Sequence, residues 1–264
     1  MQTEWQGKWA LVTGASAGIG VALATQLAEG GTHLLLTARR NDRLAALSRE
    51  LKSRYKVQIQ VCVADLAQPD GPEQLYNFAK QKDLAIDLLV NNAGFGQYGE
   101  LADVATQRLF DMVQVNCTAV VHLTRLFVPD MIARRRGDIL ILASTASFQA
   151  VPYISTYAAT KAFDLFFAEG LAEELKPHGI RVCALCPGST ESEFHAVAGQ
   201  EQFTAKHQET AEKVARTGLK ALAAGKSYVI SGLGNYLGAH SQRLVPRRTV
   251  TRIAANMFRP RKNS

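Results

Sequence analysis

Residues 8–31 read KWALVTGASAGIGVALATQLAEGG, and the order of the parts within them predicts the architecture of the chain. A short apolar run predicts a buried strand, and a second run with helical spacing predicts a helix that stops at a glycine pair. Between them lies a loop with Gly14, Gly18 and Gly20. This is the place of a dinucleotide-binding loop, where glycines permit a tight turn, a close approach of backbone to a pyrophosphate and close packing of the helix.

The same alternation of strand and helix continues outward from this stretch to about residue 187. Several later apolar runs have no polar face, which is typical of parallel strands covered by helices on both sides. We therefore expect an α/β fold with a doubly wound parallel sheet of the Rossmann type and helices on both faces. Residues 189–208 are polar and irregular and interrupt the alternation. The later predicted strands lie within 33–39, 58–65, 88–94, 138–144, 181–188 and 227–231.

The composition limits the classes of protein to which the chain can belong. Its 264 residues are 47% apolar, which is enough for one large core. No apolar run reaches the roughly 18 residues of a membrane span. The N-terminal residues also lack the basic and then apolar pattern of a signal peptide, so we expect a cytoplasmic location.

The positive charge is concentrated at the C-terminus. No acidic residue follows Glu212, whereas 11 of the 30 basic residues do. The other 19 basic residues stand against all 23 acidic residues, which gives the body of the chain a net charge of −4. A mildly acidic body argues against a nucleic-acid-binding surface.

Cys183 and Cys186 form a CxxC pattern of the kind found in redox and metal sites. Here the pattern lies in the apolar run RVCALCPG, and residues three apart on a strand point to opposite faces of a sheet. The chain has no second CxxC and no histidine cluster that would complete a zinc site. We therefore interpret both cysteines as buried strand residues and expect no metal site.

The glycine loop and the second strand together predict the cofactor. The loop lacks the GK[ST] sequence of phosphate-transferring NTPases, which disfavours ATP or GTP chemistry. Ala38 stands where NAD enzymes commonly place a carboxylate, and Arg39 and Arg40 follow it. Because a guanidinium pairs with a phosphate, we expect Arg39 to bind the 2′-phosphate of NADP(H); the alternative is that both arginines are solvated. We expect one NADP-binding catalytic domain over 1–231 and a basic, helical extension over 232–264.

A tyrosine and a lysine occur four residues apart in YISTYAATKAF, as Tyr157 and Lys161. If this segment is a helix, the two side chains lie on one face, one turn apart. Taken alone the pattern is weak, because an ordinary helix offers such a pair by coincidence. The other interpretation is an acid and the cation that tunes it, since a nearby ammonium lowers a tyrosine pKa from its usual value of about 10.

Several short motifs occur in order along the chain: TGASAGIG at 13–20, NNAG at 91–94, Asn116, Ser144, the pair Tyr157 and Lys161, and Pro187 with Gly188. Ser144 precedes Tyr157 by 13 residues. Together the motifs resemble those of the short-chain dehydrogenase/reductase family in its single-domain form, over about 8–231. Each piece alone is common, but their order and approximate spacing, including the separation of serine and tyrosine, are specific to that family.

The resemblance implies a role for each matching position. Tyr157 would be the catalytic acid or base, and Lys161 its partner, which also reaches the nicotinamide ribose. Ser144 would hold the substrate oxygen, and Asn116 would complete a catalytic tetrad through a water held near the lysine. Ser192 stands where the family often has threonine and retains the hydroxyl. With Arg39, the expected cofactor-binding residues are Gly14, Ser16, Gly18, Ile19, Gly20, Asp65, Leu66, Asn92, Ala93, Gly94, Tyr157, Lys161, Pro187, Gly188, Thr190 and Ser192.

These roles predict an NADP(H)-dependent oxidoreductase that transfers hydride between nicotinamide and a carbonyl or alcohol. Reduction of a moderately lipophilic ketone or aldehyde is the expected reaction, with proton donation by tyrosine and a hydrogen bond from serine. The alternative is a redox sensor that binds NADP without turnover, although a sensor need not keep serine, tyrosine and lysine together. We expect structural roles for Ser147 and Ser155. Candidate walls of the substrate pocket are Phe95, Tyr98, Phe148, Tyr153, Phe194 and Phe203.

The last residues and the resemblance bear on assembly. Relatives pack tyrosine-bearing helices across subunits, which implies a homodimer or a homotetramer. Residues 234–258 mix apolar and basic side chains, and they either pack on the body or on a second subunit, or lie on an anionic membrane surface. We favour packing, because one basic stretch without a second anchor binds membranes only weakly.

Overall fold

Parallel strands form one sheet of seven in the computed structural model, which describes residues 4–199 and 208–260. Across the sheet the order is β3-β2-β1-β4-β5-β6-β7, with every neighbouring pair parallel. The predicted doubly wound parallel sheet is confirmed. The strands are β1 Trp9–Thr13, β2 His33–Ala38, β3 Ile59–Val63, β4 Ile86–Asn91, β5 Gly137–Leu142, β6 Ile180–Cys186 and β7 Tyr228–Ile230.

Helices cover both faces of the sheet, as strands without a polar face require. Within the described residues they are α1 Gly18–Glu29, α2 Asn41–Arg54, α3 Gly71–Gln81, α4 Thr106–Val113, α5 Ala119–Arg134, α6 Ser155–Leu175, α7 Phe194–Val197, α8 Ala211–Ala223, α9 Leu233–Ser241 and α10 Arg247–Phe258. The core on one face includes α1, α2 and α8, and the core on the other includes α3, α5 and α6.

The consecutive leucines of β2 show why the apolar runs became strands. Leu34, Leu35 and Leu36 are all fully buried. Because neighbouring side chains on a strand point to opposite faces, Leu34 and Leu36 join the core under α1, and Leu35 joins the core under α3. A run of apolar residues therefore suits a strand with a helix layer on each side.

The connection between α4 and α5 departs from a regular helix. The sequence predicts one long helix over residues 106–127, and the structure has such a helix with one wider, π-helical turn at Gln114–Thr118. A π-helical turn is uncommon and is often found at functional sites. Here it contains Asn116, whose side chain is fully buried.

The sheet order places a binding crevice at its centre. The chain passes from β1 outward through β2 and β3 on one side, and then from β4 to β7 on the other. In open α/β sheets, ligands bind beyond the carboxyl ends of the strands at the point where the order reverses. That point lies between β1 and β4 and adjoins the loops in which most of the candidate residues occur.

The chain beyond β7 forms α9 and α10. Ala254 of α10 is buried in a small apolar cluster with Val151 and Ile154, and the Tyr98 hydroxyl donates to the Phe258 carbonyl oxygen at 2.9 Å. The last helix therefore packs on the body of its own chain. Among the residues for which the structure has a placement, no helix is both long enough and apolar enough to cross a membrane.

Candidate active site

A cleft of about 310 Å³ lies at the carboxyl ends of β1 to β4. The glycine loop, the end of β2 and the residues that follow β3 and β4 form its walls, together with part of the segment after β6. Twelve of the expected cofactor residues line it, namely Gly14, Ser16, Gly18, Ile19, Gly20, Arg39, Asp65, Leu66, Asn92, Ala93, Gly94 and Ser192.

The glycine loop is tied to the end of β4. Gly14 has φ +66°, and a Cβ there would lie 2.8 Å from Asn92 Nδ2 and 2.9 Å from Ala93 Cα, so both conformation and space require glycine. The hydroxyl oxygen of Thr13 accepts hydrogen bonds from the Asn92 and Ala93 amides, each at 2.9 Å. Thr13 was not among the predicted residues, although its place at the end of the strand before the glycine loop is a usable signal.

Two neighbouring arginines line the end of β2, and they behave differently. Arg39 lines the cleft with an exposed side chain. Arg40 donates to Ser16 Oγ at 3.0 Å and to the Glu193 carboxylate at 2.8 Å, and Arg43 Nη1 donates to the same carboxylate at 2.5 Å. The sequence favoured Arg39, whereas the structure places Arg40 between the glycine loop and an anion. The two arginines lower the pKa of Glu193 through their hydrogen bonds.

Of the expected residues after β6, Ser192 lines the cleft, whereas Pro187, Gly188 and Thr190 do not. The Pro187 carbonyl oxygen accepts a hydrogen bond from the Thr145 amide at 2.9 Å. The buried Thr190 hydroxyl donates to the Gly188 carbonyl oxygen at 3.1 Å. Asn235 of α9 packs against Gly188, where a Cβ would lie 2.5 Å from Asn235 Nδ2. The cofactor contacts expected of Pro187, Gly188 and Thr190 therefore stay predictions.

Asn116 connects the π-helical turn to the loop after β4 and to α6. Its Nδ2 donates to the Phe95 carbonyl oxygen and to Thr160 Oγ1, each at 3.0 Å, and its Oδ1 accepts from the Phe95 amide at 3.1 Å. The side chain thus fixes the position of the loop that borders the cleft. Asn116 makes these contacts from within the π-helical turn.

Ser144 follows β5 and caps the 3₁₀ turn Thr145–Phe148. Its Oγ accepts a hydrogen bond from the Ala146 amide at 3.1 Å, so its own hydrogen remains for another acceptor. Ser147 completes the capping box, accepting from the Ser144 amide at 3.2 Å and donating to the Lys161 carbonyl oxygen at 2.6 Å. Ser147 therefore has a structural role, because its hydroxyl links Ser144 to α6.

Tyr157 and Lys161 lie one turn apart on α6, with Lys161 Nζ 6.0 Å from the centre of the tyrosine ring. Burial raises the pKa of Tyr157, while the charge of Lys161 and a hydrogen bond with Ser144 lower it, and the net pKa is raised. At neutral pH the phenol therefore holds its proton, as a proton donor must. The ammonium of Lys161 lies where it would stabilise a tyrosinate at this position.

A carboxylate that the motifs do not include lies beside the lysine. Lys161 Nζ donates to the Leu142 carbonyl oxygen at 2.5 Å and to Asp164 Oδ2 at 2.9 Å. Burial raises the pKa of Asp164 to about 6, although Lys161 opposes this rise. The sequence reasoning missed Asp164, although its spacing of three residues from Lys161 on one helix is a signal that could have found it.

The candidate aromatic residues fall into three groups. Phe95 and Phe194 line the cleft, and the Phe194 ring is 5.1 Å from that of Tyr157. Three others lie elsewhere: Tyr98 contacts α10, and Tyr153 lines a separate cleft. Phe148 packs against Tyr228 and His240, whose ring centres are 6.3 and 6.2 Å from its own. Phe203 lies outside the described residues. Of the described candidates, only Phe95 and Phe194 line the cleft, and Phe194 also contacts Tyr157.

The cysteines of the CxxC pattern lie in β6. Both Cys183 and Cys186 are buried and unpaired, and burial raises the pKa of each thiol. Cys183 belongs to the core on one face of the sheet and Cys186 to the core on the other. This arrangement is that of two apolar strand residues, because burial outweighs the effect of the lysines that lower the pKa of each thiol, and the thiols stay protonated.

Sequence comparisons connect this site to known proteins. The model of a family described as short chain dehydrogenase matches residues 8–202. A very-long-chain 3-oxoacyl-CoA reductase from Phaeosphaeria nodorum is 36% identical over 183 residues, which are 67% of this chain and 53% of that protein. The chain thus spans about half the length of the first curated relatives it matches.

Solved structures share the fold over most of the chain. A short-chain dehydrogenase from Sphingobium yanoikuyae in complex with NADPH has a TM-score of 0.82 and 29% identity, covering 97% of this chain and 98% of that one. The L-sorbose reductase from Gluconobacter frateurii, complexed with NADPH and L-sorbose, has a TM-score of 0.78 and 29% identity, covering 88% and 98%. NADPH is thus the cofactor named for both of these proteins.

Proposed function

This chain belongs to the short-chain dehydrogenase family, as its motifs predict, and we propose that it reduces a lipophilic ketone or aldehyde with NADPH. The observation that carries the proposal is that Tyr157 and Lys161 each contact a residue of the cleft wall, and that Ser144 hydrogen-bonds to Tyr157. Phe194 lines the cleft and contacts the Tyr157 ring, and Gly94 lines it where a Cβ would lie 3.4 Å from Lys161 Nζ. A phenol and an ammonium thus adjoin the cleft, and a serine hydroxyl lies beside the phenol.

The residues of the cleft suit NADP(H). A 2′-phosphate requires cations and no nearby carboxylate on β2, and the strand ends with Ala38 followed by two arginines. Arg40 and Arg43 already bind an anionic group, the Glu193 carboxylate, which supports their use as an anion site. When bound, NADPH supplies the hydride for the carbonyl carbon.

The residues of the chain move the proton and hold the oxygen. Ser144 Oγ already accepts from the Ala146 amide, so the serine hydroxyl donates its hydrogen to the substrate oxygen. Tyr157 transfers its proton to the same oxygen as negative charge develops there. Lys161 stabilises the resulting tyrosinate, and it is held in place by the Leu142 carbonyl oxygen and by Asp164.

The substrate class follows from the wall of the cleft beside the tyrosine. Phe95, Phe194 and Val197 line the cleft, Phe194 contacts Tyr157, and these apolar side chains favour a carbonyl compound with an apolar substituent. The relative from Phaeosphaeria nodorum is named for 3-oxoacyl-CoA reduction, which makes 3-oxoacyl thioesters a class to test beside simple ketones and aldehydes.

The test is a panel of ketones and aldehydes of increasing chain length, together with a 3-oxoacyl thioester. The loss of NADPH absorbance is followed with each compound, and NADPH binding is measured separately by the fluorescence of the cofactor. Turnover that rises with the apolar character of the substrate supports the proposal. Tight NADPH binding without turnover on any carbonyl would contradict it and would favour the redox sensor.

A further inference from the structure

Asp164 is the most deeply buried carboxylate beside the catalytic pair. Its side chain is 1% exposed, and that of its partner Lys161 is 5% exposed. The Lys161 ammonium donates to its Oδ2 at 2.9 Å. Among the residues that the structure describes, no group donates to Asp164 Oδ1, although this atom is buried.

A second buried aspartate in the same chain shows how different this arrangement is. Asp138 of β5 accepts from Trp5 Nε1 at 2.7 Å and from Arg181 at 2.6 and 2.9 Å. Three donors satisfy that carboxylate, as is usual for a structural buried acid. Asp164 has one such donor within the described part of the chain, and this donor is the lysine of the active site.

We propose that Asp164 is a positioning residue, the counter-ion that keeps the Lys161 ammonium charged and in place beside Tyr157. A buried ammonium without an opposite charge loses its proton readily, because desolvation disfavours the charged form. The carboxylate prevents this and also directs Nζ, which lies between the Leu142 carbonyl oxygen and the edge of the cleft at Gly94. The inference rests on the proposed function, since it concerns the same tyrosine and lysine.

The charged and titratable groups around Asp164 give its effect a sign. Lys161 and Tyr157 face it from its own helix, Cys117 faces it from the π-helical turn, and Cys186 of β6 faces Lys161. Both thiols have raised pKa values and are neutral near pH 7. The carboxylate charge therefore acts on the tyrosine and lysine, which titrate as one coupled pair.

Removal of the negative charge makes the first proton easier to remove from that pair. The protonated pair has one positive charge, which the Asp164 carboxylate stabilises, and the pair that has lost a proton has none. This holds whichever of the two groups releases the proton, so the apparent pKa of the pair falls when the carboxylate becomes an amide. A merely structural role would lower activity or stability without this shift.

The experiment is the pH dependence of alcohol oxidation with NADP+, in which the rate rises with pH as the pair loses its proton. In Asp164→Asn we expect the rising limb to move to lower pH by about one unit. If the Asp164→Asn variant does not fold, Asp164→Ser is measured in its place, because it also removes the carboxylate. Asp138→Asn is the matched control, because it also removes a buried carboxylate charge but lies on β5 with Arg181, and it should leave the limb unmoved.

The proposal would be overturned if the rising limb of the pH profile stays in place, or moves to higher pH, in both Asp164 variants. A double-mutant cycle of Asp164→Asn with Lys161→Met, measured by thermal unfolding, tests the ion pair without turnover. Additive effects on unfolding would also overturn it. An unreactive wild type with strong coupling in the cycle would instead count against the proposed function alone and leave the ion pair established.

Discussion

Tyr157 combines two opposing influences in one phenol. Burial raises its pKa and Lys161 lowers it, so the side chain keeps a proton and yet has a cation ready for the charge that remains after transfer. Tyr157→Phe retains the ring that packs against Phe194 and removes only the proton. We expect turnover to fall by at least about a hundredfold, the scale of lost acid catalysis, while the dissociation constant for NADPH stays near that of the wild type.

Tyr153→Phe is the matched control for that measurement. Tyr153 lies four positions earlier and lines a separate cleft, so the loss of its hydroxyl should leave turnover within about twofold of the wild type. Steady-state kinetics with the best substrate of the panel, together with NADPH titration, measure both variants. Near-normal turnover of Tyr157→Phe would show that another group donates the proton.

The arginines show where reasoning on single residues reaches its limit. The sequence predicts a cation at the end of β2, because the strand lacks the carboxylate of an NAD site. Which of two adjacent arginines turns toward the glycine loop depends on the backbone at the start of α2 and on Ser16 and Glu193. Glu193 lies more than 150 positions away along the chain, and no local pattern connects it to Arg40.

Arg40 is therefore expected to contribute strongly to cofactor choice. We predict that the wild type prefers NADPH to NADH by at least about tenfold, which corresponds to one charge-assisted contact. Arg40→Ala and Arg39→Ala should each weaken NADPH and spare NADH, with the larger loss in Arg40→Ala. Titration of each variant with both cofactors measures this, and a wild-type preference for NADH would show the assignment of the cofactor to be wrong.

At the scale of elements, the strands and most helices follow from the sequence because burial on two faces leaves a simple pattern of apolar runs. The π-helical turn around Asn116 does not, since it replaces the i→i+4 hydrogen bonds of an α-helix by i→i+5 bonds over a single turn, and the apolar pattern of the segment carries no sign of this change. The position of α10 could not be predicted either. Its contact with the 151–154 region joins segments about a hundred residues apart, and Ala254 carries no distinctive signal.

The packing of α10 beside the active site gives a prediction for this element. Ala254 is buried in the cluster with Val151, Ile154 and Ala158, and Tyr157 packs against that cluster. In Ala254→Glu a carboxylate would enter an apolar contact, so the helix should detach from the body. We expect KM for the carbonyl substrate to rise by about tenfold or more, with NADPH binding unchanged.

The neighbouring variant Ile253→Glu controls for added charge on the same helix. Ile253 is exposed, so an acidic side chain there stays in water. Steady-state kinetics and NADPH titration compare the two variants. Equal effects of both on KM would mean that charge, rather than detachment of α10, causes the change.

At the scale of the whole molecule, exposed apolar surface on two neighbouring helices bears on assembly. α4 exposes Phe110 and Val113, and α6 exposes Phe163 and Phe166, with Phe110 64% and Phe166 70% exposed. Large apolar side chains that stay exposed on a protein surface often mark an interface. The face supports the homo-oligomer that the family resemblance implies. The inner side of α10 already packs on its own chain, so that side is not available to a second subunit. The basic tail is therefore less suited to form the interface than the exposed faces of α4 and α6.

Phe166→Glu is therefore expected to dissociate the oligomer, because two copies of the face would each bring a carboxylate into an apolar contact. Light scattering coupled to size-exclusion chromatography would report the mass, with a wild-type dimer or tetramer and a monomeric variant. Leu244→Glu is the matched control, since Leu244 is 88% exposed but lies before α10 in the basic tail. Dissociation by Leu244→Glu and not by Phe166→Glu would assign the interface to the tail, because only the element that is buried between subunits is sensitive to a buried charge.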